Sequence, residues 1–296
     1  MDLSQGPIGI VGLGRMGSGI ARNLLTKGFR LRVWDLDPTA RSRFERAVTA
    51  SHLDDLLESS EGILLSLPGS PEVETVVGRG LELGVKGKTI LDFSTSMPDS
   101  SRRLHDRVKT AGGDFLETPV TGNPTHAEAG TLRIIVSGDR RVYTRWLKVL
   151  EAVSERTIFV GEPGAATTIK LATNYLGILY VALYAEILTV VQKTGVDPAA
   201  FIEVVSASGP NCPLFQHVAP KIVCDRYEMA FGLRLAMKDL AYVKSLFEEQ
   251  QMPSLLLDAG LNLYRIAAAK GLQGDLSEVA IPLKEIAGLR QAHPSR

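Results

Sequence analysis

The stretch that decides the fold is "IGIVGLGRMGSGIARNLL", residues 8–25, near the start of a chain of 296 residues. It opens with an apolar run typical of a buried strand, and residues 18–27 have the apolar spacing of a helix. Between the two segments, Gly12, Gly14 and Gly17 have the Gly-x-Gly-x-x-Gly spacing of a dinucleotide-binding turn. The stretch therefore predicts a strand, a tight turn and a helix whose amino end faces an anion.

Each glycine of this turn has its own physical role. Gly12 allows the tight turn, Gly14 lets the backbone approach a pyrophosphate without a Cβ, and Gly17 lets the helix pack close to the sheet. A glycine-rich turn without a ligand is the alternative, and the flanking strand and helix argue against it. The intervening residues complete the predicted cofactor-binding turn: Leu13, Arg15 and Met16.

An acidic residue stands where such a fold needs one. Asp35 ends the next predicted strand, and a carboxylate there can accept hydrogen bonds from the adenosine ribose and repel a 2′-phosphate. The sequence therefore predicts NAD as the preferred cofactor, with NADP as the second choice. Arg41 and Arg43 follow closely and could weaken the repulsion, although a solvated helix face is the simpler interpretation of both.

The first half of the chain alternates short β-rich runs with helical segments. Several runs are almost continuously apolar, as expected for strands that are covered on both faces. This alternation predicts an α/β Rossmann-type fold with a doubly wound, mainly parallel sheet. The predicted strands are 8–13, 30–35, 62–68, 89–94, 114–120, 132–138 and 156–161.

The pattern changes near "GEPGA", residues 161–165, after which almost no strand is predicted. We therefore expect a dinucleotide-binding domain at residues 1–163 and an all-helical substrate and oligomerisation domain at residues 164–296. Its first helix, 165–195, is long and apolar and ends at Gly195. The other predicted helices are 198–207, 213–224, 235–250, 254–270 and 281–289.

Composition limits the partners. Lys plus Arg and Asp plus Glu number 33 each, so the formal net charge of zero predicts neither nucleic acid nor an anionic membrane as a partner. The most apolar helix, near residues 176–191, contains Glu186 and is expected to be too short to span a bilayer.

The two cysteines bear on the compartment and on metal binding. Cys212 and Cys224 form no CxxC motif and no cluster with histidine, so no metal site is predicted. We expect two reduced thiols in a cytoplasmic protein, and the amino-terminal segment lacks the pattern of a signal peptide.

Six ordered landmarks, the glycine turn and five beyond it, run through nearly the whole chain. They are "GIVGLGRMGSGIARNLL" (9–25), Leu67-Pro68, "DFSTSMP" (92–98), "ETPVTGNPTHAEAGTL" (117–132), "GEPGAATTIKLATN" (161–174) and "MKDL" (237–240). With these landmarks, the chain resembles the β-hydroxyacid dehydrogenase family, which includes 3-hydroxyisobutyrate dehydrogenase and tartronate semialdehyde reductase.

The resemblance explains a lysine in an apolar segment. Lys170 and Asn174 lie at i and i+4 of a predicted helix, so they share one face. A surface lysine whose stem lies on apolar residues is the simpler alternative. The resemblance implies that Lys170 is the catalytic acid/base and that Asn174 binds substrate. An amine that burial and a positive nicotinamide shift toward neutrality can take a hydroxyl proton and return it.

The same resemblance implies roles for further residues. Thr121, Gly122 and Asn123 would bind the substrate carboxylate, where the family usually has Ser-Gly-Gly. Leu67, Pro68 and Thr95 would line the dinucleotide, and Lys238 would reach the cofactor from the helical domain; an ordinary surface pair with Asp239 is the alternative for Lys238.

Asn123, where the family usually has glycine, has two explanations. In the first, the backbone at this position has positive φ, which Asn tolerates best after Gly. In the second, the carboxamide binds substrate.

The expected function is an NAD(P)-dependent oxidoreductase that interconverts a small 3-hydroxy acid and its semialdehyde or keto acid. Two alternatives are an imine reductase-like enzyme and a non-enzymatic binding relative; both generally lack a lysine at the position of Lys170. A homodimer or homotetramer is expected, because the helix at 165–192 offers more apolar surface than one small domain needs.

Overall fold

The computed structural model describes residues 6–44 and 48–289. The chain forms two compact units, residues 1–170 and residues 171–296, and the division falls within one long helix. The strands of the described ranges all belong to the first unit, and the second unit is helical. The predicted boundary at 163/164 lies at the start of the same helix and stays a prediction.

The first unit is built on a nine-stranded sheet with the order β3-β2-β1-β4-β5-β6-β8-β7, in which β9 also pairs with β8. Strands β1 to β6 are parallel, whereas β8 runs antiparallel to β6 and β7. The first six strands have the order of a Rossmann fold, so the predicted fold class is confirmed. The strands are β1 (Ile8–Val11), β2 (Leu31–Trp34), β3 (Val48–Thr49), β4 (Gly62–Leu65), β5 (Thr89–Asp92), β6 (Asp114–Glu117), β7 (Val120–Thr121), β8 (Leu132–Ser137) and β9 (Ser154–Gly161).

Helices cover both faces of this sheet. Ile10 and Leu64 belong to one hydrophobic cluster, and their chain neighbours Val11 and Leu65 belong to another. Because side chains alternate across a strand, the two clusters lie on opposite faces, which explains the continuous apolar runs. The helices of this unit are α1 (Arg15–Thr26), α2 (Pro38–Arg41), α3 (Leu53–Ser59), α4 (Ser70–Leu83), α5 (Pro98–Thr110), α6 (Pro124–Ala129) and α7 (Arg140–Ala152).

The strand order reverses beside β1, which pairs with β2 on one side and β4 on the other. Val11 lies opposite Leu65 at the carboxyl ends of β1 and β4. Open α/β sheets bind ligands in the crevice outside the strand ends at such a reversal. The fold therefore brings the glycine turn after β1 next to the Leu67-Pro68 segment after β4.

The second unit packs its helices around one hydrophobic core, and the predicted helices are all present. Tyr264 is buried in this core, and its hydroxyl donates a hydrogen bond to the carbonyl of Ile178 over 2.8 Å. The helices are α8 (Ala165–Lys193), α9 (Pro198–Ser206), α10 (Pro213–Val223), α11 (Leu233–Glu249), α12 (Leu255–Ala269) and α13 (Ala280–Ile286), with a 3-10 helix at Leu276–Val279.

Helix α8 corrects one expectation. It is 29 residues long, and by length and composition alone it could cross a membrane, so the prediction that its apolar segment is too short is wrong. Core helices of soluble proteins have the same length and composition. Leu171, Ile178 and Leu188 are buried in the core of the second unit, which accounts for part of the apolar character; 39% of the most apolar 18-residue segment of α8 is buried.

Candidate active site

The glycine turn is held by close backbone packing. Gly12 has a φ of +94°, and a Cβ added there would lie 2.3 Å from the Ser66 carbonyl oxygen. A Cβ on Gly17 would lie 2.0 Å from the Gly12 carbonyl oxygen. Both contacts are too short for any side chain, so the roles predicted for these two glycines have a direct steric basis.

Gly14 differs from the other two glycines because it is exposed, and a Cβ added there would meet no protein atom within 4 Å. Gly14 precedes the first residue of α1, and in the described structure no side chain caps this helix. An open backbone surface at an uncapped helix amino end fits the pyrophosphate of a dinucleotide. Gly14, Arg15 and Met16 are therefore the residues that would hold it.

Asp35 lies at the carboxyl end of β2 and is tied to the same turn. Its Oδ2 accepts a hydrogen bond from the Leu13 backbone N–H over 2.6 Å, and its Oδ1 accepts one from the Asp37 N–H over 2.8 Å. Asp35 therefore has a role that the sequence pattern did not predict, because it fixes the glycine turn. The ribose contact predicted for its carboxylate stays a prediction.

The segments after β4 and β5 are joined by side-chain hydrogen bonds. Ser94 Oγ accepts a hydrogen bond from the Leu67 N–H over 3.0 Å. Buried Asp92 accepts hydrogen bonds from the Ser94 N–H and the Ser96 hydroxyl. Thr95, between these two serines, is half-buried. The structure thus places Leu67 near Thr95 in the chain segments that follow adjacent strands.

The Thr121-Gly122-Asn123 segment corrects the first explanation of Asn123. The φ of Asn123 is −118°, so positive φ does not explain the asparagine. The residue with positive φ is Gly122, at +127°. Asn123 instead caps α6, because its Oδ1 accepts from the His126 backbone N–H over 3.2 Å and lies 2.7 Å from His126 Nδ1. The substrate contact predicted for its carboxamide stays a prediction.

Lys170 is half-buried in the second turn of α8, and Asn174 follows one helical turn later. Within the second unit, Asn174 Nδ2 donates a hydrogen bond to Asp239 Oδ2 over 2.5 Å. Because the amide nitrogen is engaged, the carbonyl oxygen of Asn174 has a fixed orientation. The orientation of Asn174 therefore depends on Asp239, which the sequence suggested only as a surface partner of Lys238.

Asp239 is the functional candidate that sequence reasoning missed. It is 2% exposed, and its other oxygen, Oδ1, lies 3.1 Å from Lys238 Nζ. Lys238 also lies 4.9 Å from the centre of the Tyr242 ring. The Lys238–Asp239 pair predicted as an alternative is present, but its acid is buried and its lysine is only half-buried. A buried acid between a lysine and an amide could only have been found by knowing that α8 and α11 pack together.

The described residues contain no cluster of metal-ligating side chains. Among residues 6–44 and 48–289, no three His, Cys, Asp or Glu side chains are grouped so that they could hold a metal ion.

Two family models together match most of the chain. Residues 7–161 match the NAD-binding domain of 6-phosphogluconate dehydrogenase. Residues 164–283 match a model described as "NAD-binding of NADP-dependent 3-hydroxyisobutyrate dehydrogenase". The first model alone covers more than half of the chain, and it contains the glycine turn and Asp35. The prediction of an NAD(P) cofactor is confirmed, whereas the preference for NAD stays a prediction.

Named relatives cover most of the chain. The chain is 30% identical to 2-hydroxy-3-oxopropionate reductase of Escherichia coli over 79% of this chain and 81% of that protein. It is 28% identical to glyoxylate/succinic semialdehyde reductase 2 of Arabidopsis thaliana over 98% of this chain and 83% of that protein. Both relatives are named as reductases, which agrees with the predicted reaction class.

Solved structures share the fold. A 3-hydroxyisobutyrate dehydrogenase of Mycobacterium tuberculosis with L-serine has a TM-score of 0.87 at 24% identity, covering 94% of this chain and 99% of that one. An imine reductase of Streptomyces aurantiacus has a TM-score of 0.61 at 20% identity, covering 94% and 99%. These identities show the fold alone, and the family models and curated relatives carry the assignment. The chain belongs to the β-hydroxyacid dehydrogenase family of NAD(P)-dependent oxidoreductases.

Proposed function

We propose that this enzyme interconverts a small 3-hydroxy acid and its semialdehyde or keto acid, with Lys170 as the general acid/base. The observation that carries the proposal is the arrangement on α8. An amine and an amide lie one turn apart on a mainly apolar helix, and Asp239 fixes the amide.

The proton has a defined route in this proposal. A bound nicotinamide cofactor would supply the hydride acceptor for oxidation and the hydride donor for reduction. The neutral amine of Lys170 takes the hydroxyl proton as the carbonyl forms, and the resulting ammonium returns that proton to the carbonyl oxygen in the reverse direction. A lysine can serve both directions because its neutral amine accepts a proton and its ammonium form donates one.

The substrate needs a carboxylate to be held in place. Thr121 and the Gly122 backbone are proposed to bind it, together with Asn123 and Asn174. A hydroxyl, a backbone N–H and amide groups are hydrogen-bond donors of the kind that carboxylates accept. A small carboxylate is the proposed partner, and the relatives named as acting on small aldehydes and hydroxy acids support this class.

A substrate panel tests the reaction. NADH formation or consumption at 340 nm would be measured with small 3-hydroxy acids, the matching semialdehydes and cyclic imines. The proposal expects turnover only with the oxygen compounds, because the role proposed for Lys170 is to exchange a proton with the hydroxyl or carbonyl oxygen. Turnover of imines alone would favour the imine reductase alternative, and cofactor binding without any turnover would favour a binding protein.

The proposed preference for NAD rests on Asp35. We expect Asp35→Ser to narrow the ratio of kcat/KM for NAD over NADP about tenfold, because the carboxylate no longer repels a 2′-phosphate. The loss of the Leu13 hydrogen bond should also weaken the binding of both cofactors. Measuring kcat/KM with each cofactor separates the two effects, since only the first changes the ratio. An unchanged ratio would show that Asp35 serves the turn alone.

A homo-oligomer is also proposed, through the exposed face of α8. Leu176, Leu183 and Val190 are 50%, 56% and 53% exposed at a seven-residue spacing, and Tyr180 and Ile187 are exposed between them. Helices with apolar residues alternating three and four apart pack against one another along this face. A second copy of the chain is the proposed occupant. Light scattering at micromolar concentration should give at least twice the protomer mass, and a monomer there would contradict the proposal.

A cytoplasmic location is proposed as well. Cys212 and Cys224 are both free thiols, as expected in a reducing compartment. Microscopy of the fluorescently tagged full chain in its own cells would test the location.

A further inference from the structure

Glu117 is a buried acid that the proposed reaction does not use. It is the last residue of β6 and is 1% exposed. Its Oε2 accepts hydrogen bonds from the Ser137 hydroxyl over 2.7 Å, the Thr167 N–H over 3.0 Å and the Thr167 hydroxyl over 3.1 Å. Its Oε1 accepts from the Gly164 N–H. Three of these four donors belong to residues at the start of α8.

The first turn of α8 is thereby tied to the sheet. Ser137, on β8 beside β6, also accepts the Ala166 N–H on its hydroxyl oxygen over 3.1 Å. The amino end of a helix leaves its first N–H groups without helical partners. Here Glu117 and Ser137 supply those partners for Gly164, Ala166 and Thr167 from two neighbouring strands.

A carboxylate suits this position electrostatically. The amino end of a helix carries partial positive charge, and an acid there is stabilising. Burial raises the pKa of Glu117 above its ordinary value, and the hydrogen bonds from Ser137, Gly164 and Thr167 oppose that rise. All four neighbouring groups point donors at the acid, so its two oxygens act as acceptors.

We propose that Glu117 is a positioning residue for Lys170, because it fixes the first turn of the helix whose next turn carries that amine. Thr167, which gives Glu117 two hydrogen bonds, precedes Lys170 by almost one turn on the same side of α8. Within the first unit, Glu117 therefore connects the sheet to the amine through a single helical turn. The inference rests on Lys170 being the acid/base.

Misplacement of a catalytic group by about 1 Å can cost roughly 100-fold in rate. Helix ends fray most readily, so an unanchored first turn would spread the position of Lys170 over several conformations. A carboxylate that holds this turn would raise kcat without touching substrate or cofactor.

Glu117→Gln tests the inference, because an amide must turn an N–H toward at least one of the donors. Ser137→Ala is a milder second variant that removes one bond to Glu117 and the acceptor for Ala166. Val149→Ala is the control, since Val149 is fully buried on α7 of the same unit and should cost stability, while its apolar side chain takes no part in the hydrogen bonds of Glu117. Each variant is assayed well below its melting temperature, with folding checked by circular dichroism.

Three measurements decide the role. Hydrogen exchange of the amides at 164–170 should be at least about tenfold faster in Glu117→Gln, relative to the amides of β5, and unchanged by Val149→Ala. In Glu117→Gln, kcat should fall about tenfold while KM and the NAD Kd change little. Ser137→Ala should move exchange and kcat in the same direction by smaller factors.

Two results would overturn the inference. Unchanged exchange at 164–170 would show that Glu117 does not hold the turn. Faster exchange with kcat within twofold of wild type would show a structural role alone. If Lys170→Met proved fully active, the proposed function would fail, while the exchange measurement would still report whether Glu117 anchors α8.

Discussion

Replacing Lys170 by methionine should cut turnover by roughly 10²–10⁴-fold and leave NAD binding nearly intact. Methionine keeps an unbranched apolar stem of similar length but removes the amine, so the loss corresponds to the usual contribution of a general acid/base. The measurement is kcat on the best substrate of the panel, together with the NAD Kd from quenching of protein fluorescence. A variant that retains more than a tenth of wild-type turnover would contradict the assignment.

Two further variants make the result specific to proton transfer. Lys170→Arg keeps the positive charge but cannot give up a proton at working pH, so it should be almost as slow as Lys170→Met. Lys148→Met removes an exposed lysine from α7 in the same unit and should keep wild-type turnover. If Lys170→Arg were nearly as active as wild type, Lys170 would act through its charge and not as an acid/base.

Sequence patterns predicted the sheet because its signals are local. The buried runs of β1, β4 and β5 and the glycine spacing after β1 can be recognised within a few residues. No sequence pattern predicts β3, and the predicted strand 114–120 merges β6 with the start of β7. Both β3 and β7 have two residues, which are too few to show a strand period. The antiparallel direction of β8 follows from how the chain returns to the sheet, which no local pattern specifies.

The candidate site divides in the same way. Lys170 and Asn174 could be found because they share one helix, whereas Glu117 meets Gly164 across 47 residues of sequence and Asp239 meets Asn174 across 65. Partners that far apart become visible only when the packing is known. Asn123 is a different case, since asparagine followed by proline is a common helix start, and this local signal outweighs the positive-φ explanation.

A substitution at Gly14 should weaken cofactor binding and leave the stability of the fold almost unchanged. We expect Gly14→Ala to raise the NAD Kd at least about 100-fold while the melting temperature stays within about 2 °C of wild type. The backbone at Gly14, with a φ of −63°, is accessible to alanine, and the added methyl would enter space that no protein atom occupies. That space is where a pyrophosphate would approach the backbone, so the methyl would break hydrogen bonds to a charged group, each worth about 1.5–3 kcal/mol. Loss of two such bonds corresponds to 100-fold or more.

The control for this substitution is Gly78→Ala, because Gly78 lies in α4 and an added Cβ there also meets no protein atom within 4 Å. Alanine favours a helix over glycine by about 1 kcal/mol, so the control should be slightly stabilised and bind NAD as wild type does. Titration calorimetry with NAD and a thermal melt of each variant give both quantities. A Gly14→Ala protein that binds NAD normally would place the pyrophosphate away from the turn. One that unfolds would show that the open space at Gly14 is needed by the fold, and the assignment of Gly14, Arg15 and Met16 to the cofactor would lose its steric basis.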